Sequence, residues 1–294
     1  MSSNTQRIRL LNEYEVKAIY SLPCFTEAER HHYFALNLTE EAELKGPHFP
    51  SRIHFILQLG FFRAKHLLFD FTFRAVRDDV KYVITRYFPA EKIPKILPSR
   101  NSLASNNQHI LALNHFIPYS KKIKKRIDEK LSQSIRHMNN PMEMLRELLQ
   151  FMEHEKIVLP SYSTLQDLIG EAIMAEEKRL NDCVTHRVTK KTTILIDRLF
   201  TIKEDEAFYD LTLLKHYPKN FNFKMIQAEL SKHKSYYPLY RFAKRFLPRL
   251  ELSEQNITYY GSLVEHYQVQ ALNRFRQQGV IFICCVMCII GFKK

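Results

Sequence analysis

Four lysines and one arginine fall within six residues at Lys121, Lys122, Lys124, Lys125 and Arg126, the densest run of positive charge in the chain. Ile123 and Ile127 stand four apart, so on a helix they share one face and leave the cations on the other. Two readings fit this pattern. One is a solvated helix face; the other is a clamp on a phosphate backbone, which adds affinity without reading sequence. The stretch from Arg241 to Arg249 can do the same, while its Phe242, Phe246 and Leu250 repeat at core spacing. The chain as a whole leans the same way. Lys and Arg number 44 against 31 acids, a formal net charge of +13 in 294 residues. That excess favours a polyanionic partner, because each cation set on a phosphate releases a bound counterion.

A second pattern is Ser161-Tyr162-Ser163-Thr164-Leu165-Gln166. Ser163 and Gln166 have capping-box spacing and predict a helix that opens with small polar side chains. A helix anchored by Met144, Leu145, Leu148, Phe151 and Met152 precedes it, across the short stretch Lys156 to Pro160. Helix, tight turn, and a second helix with a polar amino end is the order of a helix-turn-helix unit. There the amino end of the second helix meets base edges, and its free amides suit a phosphate oxygen. It is also the order of an ordinary helical pair.

Enzyme chemistry is sparse. No P-loop, Rossmann fingerprint, His-Glu-x-x-His or nucleophile elbow occurs. Cys285-x-x-Cys288 has the spacing of half a zinc site, but it lacks a second pair and lies in an apolar run, so it reads as structural. Asp78-Asp79 and Glu40-Glu41 are adjacent carboxylates that diverge on a helix and suit its positive amino end instead. No metal, cofactor or catalytic residue is expected. The five cysteines, Cys24, Cys183, Cys284, Cys285 and Cys288, do not form a disulfide framework and suit a reducing cytoplasm. Met1 to Leu11 lacks the apolar core of a signal peptide. Val280 to Ile290 is apolar but too short to cross a bilayer as a helix, which needs about 20 residues. It reads as a buried helix that has lost its following partner, so no membrane partner is expected.

The elements that must position these groups are helical. Glycine is scarce, at 6, and apolar residues recur at helical spacing, so the fold class is all-α. Residues 1–100 form a first helical block. Thr26 and Glu29 make a capping box there. From Pro50, Ile53, Ile56, Leu57 and Phe61 share a helix face, with Arg52, His54 and Arg63 off it. A further helix spans Asp78 to Phe88. The Pro, Ser and Asn content of Phe88 to Asn107 predicts a linker. A second block, 101–187, holds helices over Gln108–Phe116, Ser120–Met138 and from Pro141, with Asn140 as cap. A third, 188–278, is a helical linker or dimerisation region. It holds helices over Thr192–Phe200 and Phe223–Lys232, and a long one from the Ser253 cap to Arg276. Residues 279–294 form the apolar end.

Four runs bear a resemblance when taken in order. Leu22-Pro23-x-Phe25-Thr26-x-x-Glu29-Arg30-x-x-Tyr33-Phe34 is the first, and Ser51-Arg52-Ile53-His54-Phe55-Ile56-Leu57-Gln58-Leu59-Gly60-Phe61-Phe62-Arg63 the second. Val158 to Leu165 is the third, and Leu252-Ser253-x-x-Asn256-Ile257-x-Tyr259-Tyr260-x-Ser262-Leu263-Val264-x-x-Tyr267 the fourth. Together they resemble the amino-terminal region of the replicative transposases of the Tn-three (gamma-delta-like) family. The resemblance implies tandem helical, helix-turn-helix-like domains that bind double-stranded DNA at terminal inverted repeats, in a cytoplasmic, nucleoid-associated setting. The alternative is a helical protein-interaction module, whose third block pairs with a second copy or with an intact transposase. Ser51, Arg52, His54 and Arg63 are placed on one DNA-facing helix, and Ser161, Tyr162, Ser163, Thr164 and Gln166 on another. The family's RNase H-like Asp-Asp-Glu domain would lie beyond residue 294. After about Gly279 the chain departs from the pattern, so a truncated protein without strand-transfer chemistry is expected.

Overall fold

The protein is described by a computed structural model over residues 7–187, 189–201, 209–215 and 222–277. Among these residues it is all-α, with no strand; one isolated parallel bridge joins Ile117 and Ile157. The segment Val280 to Ile290 and the Cys285/Cys288 pair lie outside the described residues. No described helix is long and apolar enough to cross a membrane.

The chain divides into two compact units. One takes the chain up to Ile127 together with Leu145–Leu168. The other takes Asp128–Met144 and the chain from Ile169 onward.

The first unit opens with three short helices, α1 (Glu13–Tyr20), α2 (Glu27–Tyr33) and α3 (Leu38–Ala42). Each starts on a complete capping box: Asn12 with Glu15, Thr26 with Glu29, and Asn37 with Glu40. Helices this short are marginal alone, so caps and packing must supply their stability. They surround α4 (Phe49–Lys65), whose Pro50 sits in the first turn, where a missing N–H costs nothing. α5 (Arg77–Tyr87) and α6 (Arg100–Asn114) complete the shell.

α4 is buried on every side. Ile53, Phe55, Ile56, Leu57, Leu59, Phe61 and Phe62 are core residues, and Ser51, His54 and Gln58 are buried with them. A helix covered all round is the centre of a domain. Phe25, Phe34, Phe61 and Phe71 pack edge-to-face and offset around its carboxy half. Gly60 is fixed by this packing: a Cβ there would lie 2.3 Å from the Phe34 ring. Lys65, at the end of α4, donates to the carbonyls of Ala18 and Ser21 and closes the carboxy end of α1.

The polar stretch from Phe88 to Asn107 is a linker only in part. Ser99 caps α6, which already runs from Arg100. Its polar side chains face α4: Asn106 bonds Ser51 and His54, and Asn107 bonds Gln58. The composition that reads as linker is a buried polar seam.

α7 (Lys121–His137), α8 (Pro141–His154) and α9 (Tyr162–Thr185) follow. Asn140 caps α8 by accepting from the Met142 amide at 3.0 Å, as its Asn-Pro start predicts.

In the second unit, α10 (Lys190–Leu199), α11 (Asp210–Lys215), α12 (Phe223–Phe246), a 3-10 turn (Leu247–Leu250), α13 (Glu254–His266) and α14 (Val269–Gln277) follow the end of α9. Its core joins Leu180 and Val184 of α9 with Ile196, Leu199, Phe200, Leu211, Leu239, Phe246, Leu250 and Leu272. Tyr236 donates its hydroxyl to the buried Asp210 carboxylate at 2.5 Å.

Two helix ends differ from the sequence reading. α12 runs on through Pro238 instead of ending near Lys232. Pro238 is on the exposed side, while Tyr236, Leu239 and Ala243 anchor both flanks in the core. The one carbonyl that loses its N–H partner, that of the exposed Lys234, can be satisfied by water. The long helix expected from Ser253 to Arg276 is two helices, parted at Tyr267–Gln268. Neither residue is a Gly or a Pro, so the break is not one that local helix-breaking residues announce.

Candidate nucleic-acid interface

Ser120 opens α7, its Oγ accepting from the Ile123 amide at 3.4 Å. Ile123, Ile127, Leu131 and Ile135 form the buried stripe, as their spacing predicts. Lys121, Lys122 and Lys125 are exposed and carry no hydrogen-bond or ion-pair partner among the described residues. Lys124 is half-buried and engaged, and Arg126 pairs with Glu155 of α8.

The first turn of α7 has no acidic residue. Peptide dipoles place partial positive charge at a helix's amino end, where cations are unfavourable by about 0.3–1 kcal/mol each when exposed. α1, α2 and α3 show the opposite arrangement, with carboxylates in the first turn. The amino end of α7 therefore concentrates helix dipole, free amides and lysine charge of one sign.

The second predicted surface is partly occupied. Ser161, not Ser163, is the cap of α9. Its Oγ accepts from the Thr164 amide at 3.3 Å and contacts Ser163 Oγ and Thr164 Oγ1 at 2.9 and 2.8 Å. The capping box read from Ser163 and Gln166 is therefore corrected: the helix starts two residues earlier, at Tyr162. Gln166 instead donates to the Ile8 carbonyl at 2.8 Å. The Tyr162 hydroxyl accepts from the amides of Leu10 and Leu11. Tyr20 donates to the Pro160 carbonyl at 2.8 Å, and Arg7 pairs with Asp167 at 2.7 Å. The segment before α1 is strapped along the start of α9. Ser161 is exposed, while Ser163 and Thr164 are half-buried.

The four residues of α4 face inward or bond within the fold. Ser51 is 2% and His54 4% exposed, which leaves no surface for a groove. The Asn106 amide donates to the Ser51 carbonyl at 2.9 Å and to His54 Nδ1 at 3.2 Å, so that nitrogen accepts and carries no proton. His54 stacks on Phe71 at 5.0 Å, and burial pushes its pKa down to about 4. Arg52 donates to the Pro47 carbonyl at 2.7 Å. Arg63 donates to the Tyr33 and Ala35 carbonyls and pairs with the buried Glu40. It also lines a cleft of about 380 Å³ with His32, Tyr33, Ala35, Leu36 and Asn37, where its guanidinium is already committed. The sequence reading set Arg52, His54 and Arg63 off one apolar face, but α4 has no free face: α6 meets Ser51 and His54, while Tyr33, Ala35 and Glu40 hold Arg63.

Among the described residues no three His, Cys, Asp or Glu side chains gather as a metal site. Asp79, from one of the adjacent carboxylate pairs, is buried and pairs with Arg30 at 2.7 Å; desolvation raises its pKa despite that partner.

An all-helical basic chain with a lysine-rich helix start is thus the class that fold and surface define. The chain belongs to the DUF4158 family, described as a domain of unknown function, whose pattern matches residues 10–172, more than half of its length. No curated protein matches it.

Proposed function

We propose that this chain is a DNA-binding region of a transposase that grips duplex DNA at terminal inverted repeats. The observation that carries the proposal is the amino end of α7, where Lys121, Lys122 and Lys125 crowd an already positive helix end without a counterion. A phosphate diester relieves that repulsion and accepts from the same amides. The family match spans three of the four runs that resemble the replicative transposases. Sequence readout, if α9 supplies it, falls to Ser161, Ser163 and Thr164, because Tyr162 and Gln166 hold the segment before α1.

The test is binding of a labelled inverted-repeat duplex against an excess of mixed-sequence competitor. Specific recognition predicts that complex survives competitor and weakens steeply with salt. Equal affinity for both duplexes would reduce the proposal to backbone binding, and no binding at low salt would end it.

One observation favours a second reading, a module that pairs with another copy or with an intact transposase. Phe223, Ile226 and Leu230 share a face of α12 and are 82%, 46% and 57% exposed. Light-scattering mass tests this: a monomer at all concentrations, alone and with intact transposase, removes it.

A further inference from the structure

The second unit carries a cationic surface on α12, outside the residues assigned above. Between Glu229 and Glu251 the sequence has no acidic residue and six cations: Lys232, Lys234, Arg241, Lys244, Arg245 and Arg249. The structure sorts this stretch into two sides. Tyr236, Leu239, Ala243, Phe246 and Leu250 are in the core. Lys234, Tyr237, Arg241, Lys244 and Arg245 fall on the opposite side of the helix, and all are exposed. Arg249 is exposed in the 3-10 turn that continues it. Lys234, Arg241, Lys244 and Arg245 have no hydrogen-bond or ion-pair partner among the described residues. Like charges three and four apart repel, so the row is unfavourable in the isolated protein.

We infer that the outer side of α12, from Lys234 to Arg245, is a second duplex-DNA backbone contact, with Lys234, Arg241, Lys244 and Arg245 on phosphates. The inference rests on the DNA-binding reading above and extends it to the other unit. The cations span about 16 Å along the helix axis, at 1.5 Å per residue. Duplex DNA carries one charge per about 1.7 Å of its axis, so several phosphates lie within reach of such a row. Tyr237 stands between the cations, 56% exposed and stacked on Tyr240 with centroids 6.2 Å apart. Its hydroxyl supplies a neutral donor of the kind that commonly contacts phosphate and sugar oxygens. A lipid surface would be a poorer match. A membrane-lying helix inserts an apolar side opposite its cations, and along the cation row that side, Tyr236, Leu239, Ala243 and Phe246, lies in the protein core.

The experiment compares the full chain with two multiple variants. One is Lys234→Gln, Arg241→Gln, Lys244→Gln and Arg245→Gln together; the other is Lys121→Gln, Lys122→Gln and Lys125→Gln together. Affinity for a mixed-sequence duplex is measured across a salt series. Every cation taken off a phosphate lowers the slope of log K against log salt by about 0.9, so the α12 variant should fall by about 3 to 4 in slope. Arg241→Lys with Arg245→Lys, which keeps the charge, should retain the slope. Helicity and unfolding midpoint check that the fold persists; if the fourfold variant melts early, Arg241→Gln with Arg245→Gln takes its place, with a decrease of about 2. An unchanged slope in the α12 variant beside a reduced one in the α7 variant overturns this inference and leaves the α7 reading standing. A reduced slope in the α12 variant alone supports it and removes α7. No duplex binding by the full chain overturns both. Vesicles of phosphatidylserine and phosphatidylcholine form the last arm: vesicle binding abolished in the α12 variant, with an unchanged duplex slope, assigns the row to membrane and overturns the inference.

Discussion

Asn256 donates its side-chain amide to the carbonyl of Ile135, 121 residues earlier in the chain, at 2.7 Å. The neighbouring Ser253 donates its hydroxyl to the His137 carbonyl at 2.8 Å and its amide to the Arg136 carbonyl at 3.1 Å. The last carbonyls of a helix have no partner within it. For α7 the turn ahead of α13 supplies them, and Arg136 adds an ion pair to Glu251. The Ser-x-x-Asn spacing, which carries part of the resemblance in the sequence, thus serves two helices at once. Ser253 also accepts from the Asn256 amide at 3.1 Å and caps α13.

Replacing Asn256 with Ala should therefore destabilise the second unit by about 1–3 kcal/mol, the cost of a buried carbonyl left unpaired. Urea unfolding reads this as a lower midpoint at unchanged slope. A change of only a few tenths would mean that water takes over the bond.

Gly60→Ala places a methyl group against the Phe34 ring, inside the core of the first unit. Overpacking of this kind typically costs about 1–3 kcal/mol. Adding Phe34→Leu should recover part of the loss. If the double variant is as unstable as the sum of the singles, the Phe34 ring is not its source.

His54 gives the fold a pH response. Its folded pKa, about 4, is below the ordinary 6.5, so the unfolded chain binds the proton more readily. Stability is then full above pH 6.5 and falls as the pH drops toward 4. The shift corresponds to about 3 kcal/mol across that window. His54→Gln should remove this component, so that its stability profile against pH is flatter than that of the parent between those values. Parallel profiles would overturn the assignment.

Arg30→Met strips the counterion from the buried Asp79, which should cost about 3–5 kcal/mol near neutral pH. Because desolvation already raises the Asp79 pKa, the loss should shrink in acid as the carboxyl takes up a proton. Arg30→Met with Asp79→Leu should regain most of the stability. A double variant as weak as the single would locate the effect elsewhere.

The all-α class and most helix positions were legible because apolar spacing, capping boxes and Asn-Pro starts are local signals. Thr26–Glu29 and Asn140–Pro141 are found where they were read. The surface was harder to read. The buried stripe of α7 sets its cations outward, and spacing alone shows that. α4 is covered all round instead, and Ser51 and His54 are met by a polar seam on α6 whose Asn106 and Asn107 look in sequence like linker residues. Ser161 takes the cap from Ser163 through chemistry that both share, and Tyr162 and Gln166 bond Ile8 to Leu11 from more than 150 positions away, which no local pattern announces. The extension of α12 past Lys232 and through Pro238 has no local signal, because the residues that hold it, Tyr236, Leu239 and Ala243, are brought together only by the core.

α4, enclosed by its neighbours, also sets a timescale for the first unit. Its backbone amides can meet solvent only when the helices around it come away, so the opening that exposes them approaches complete unfolding. In deuterated buffer its protons should be the last in that unit to be replaced, long after those of the short capped helices at its rim. The helix that the second run of the resemblance placed against DNA is thereby the unit's slowest clock.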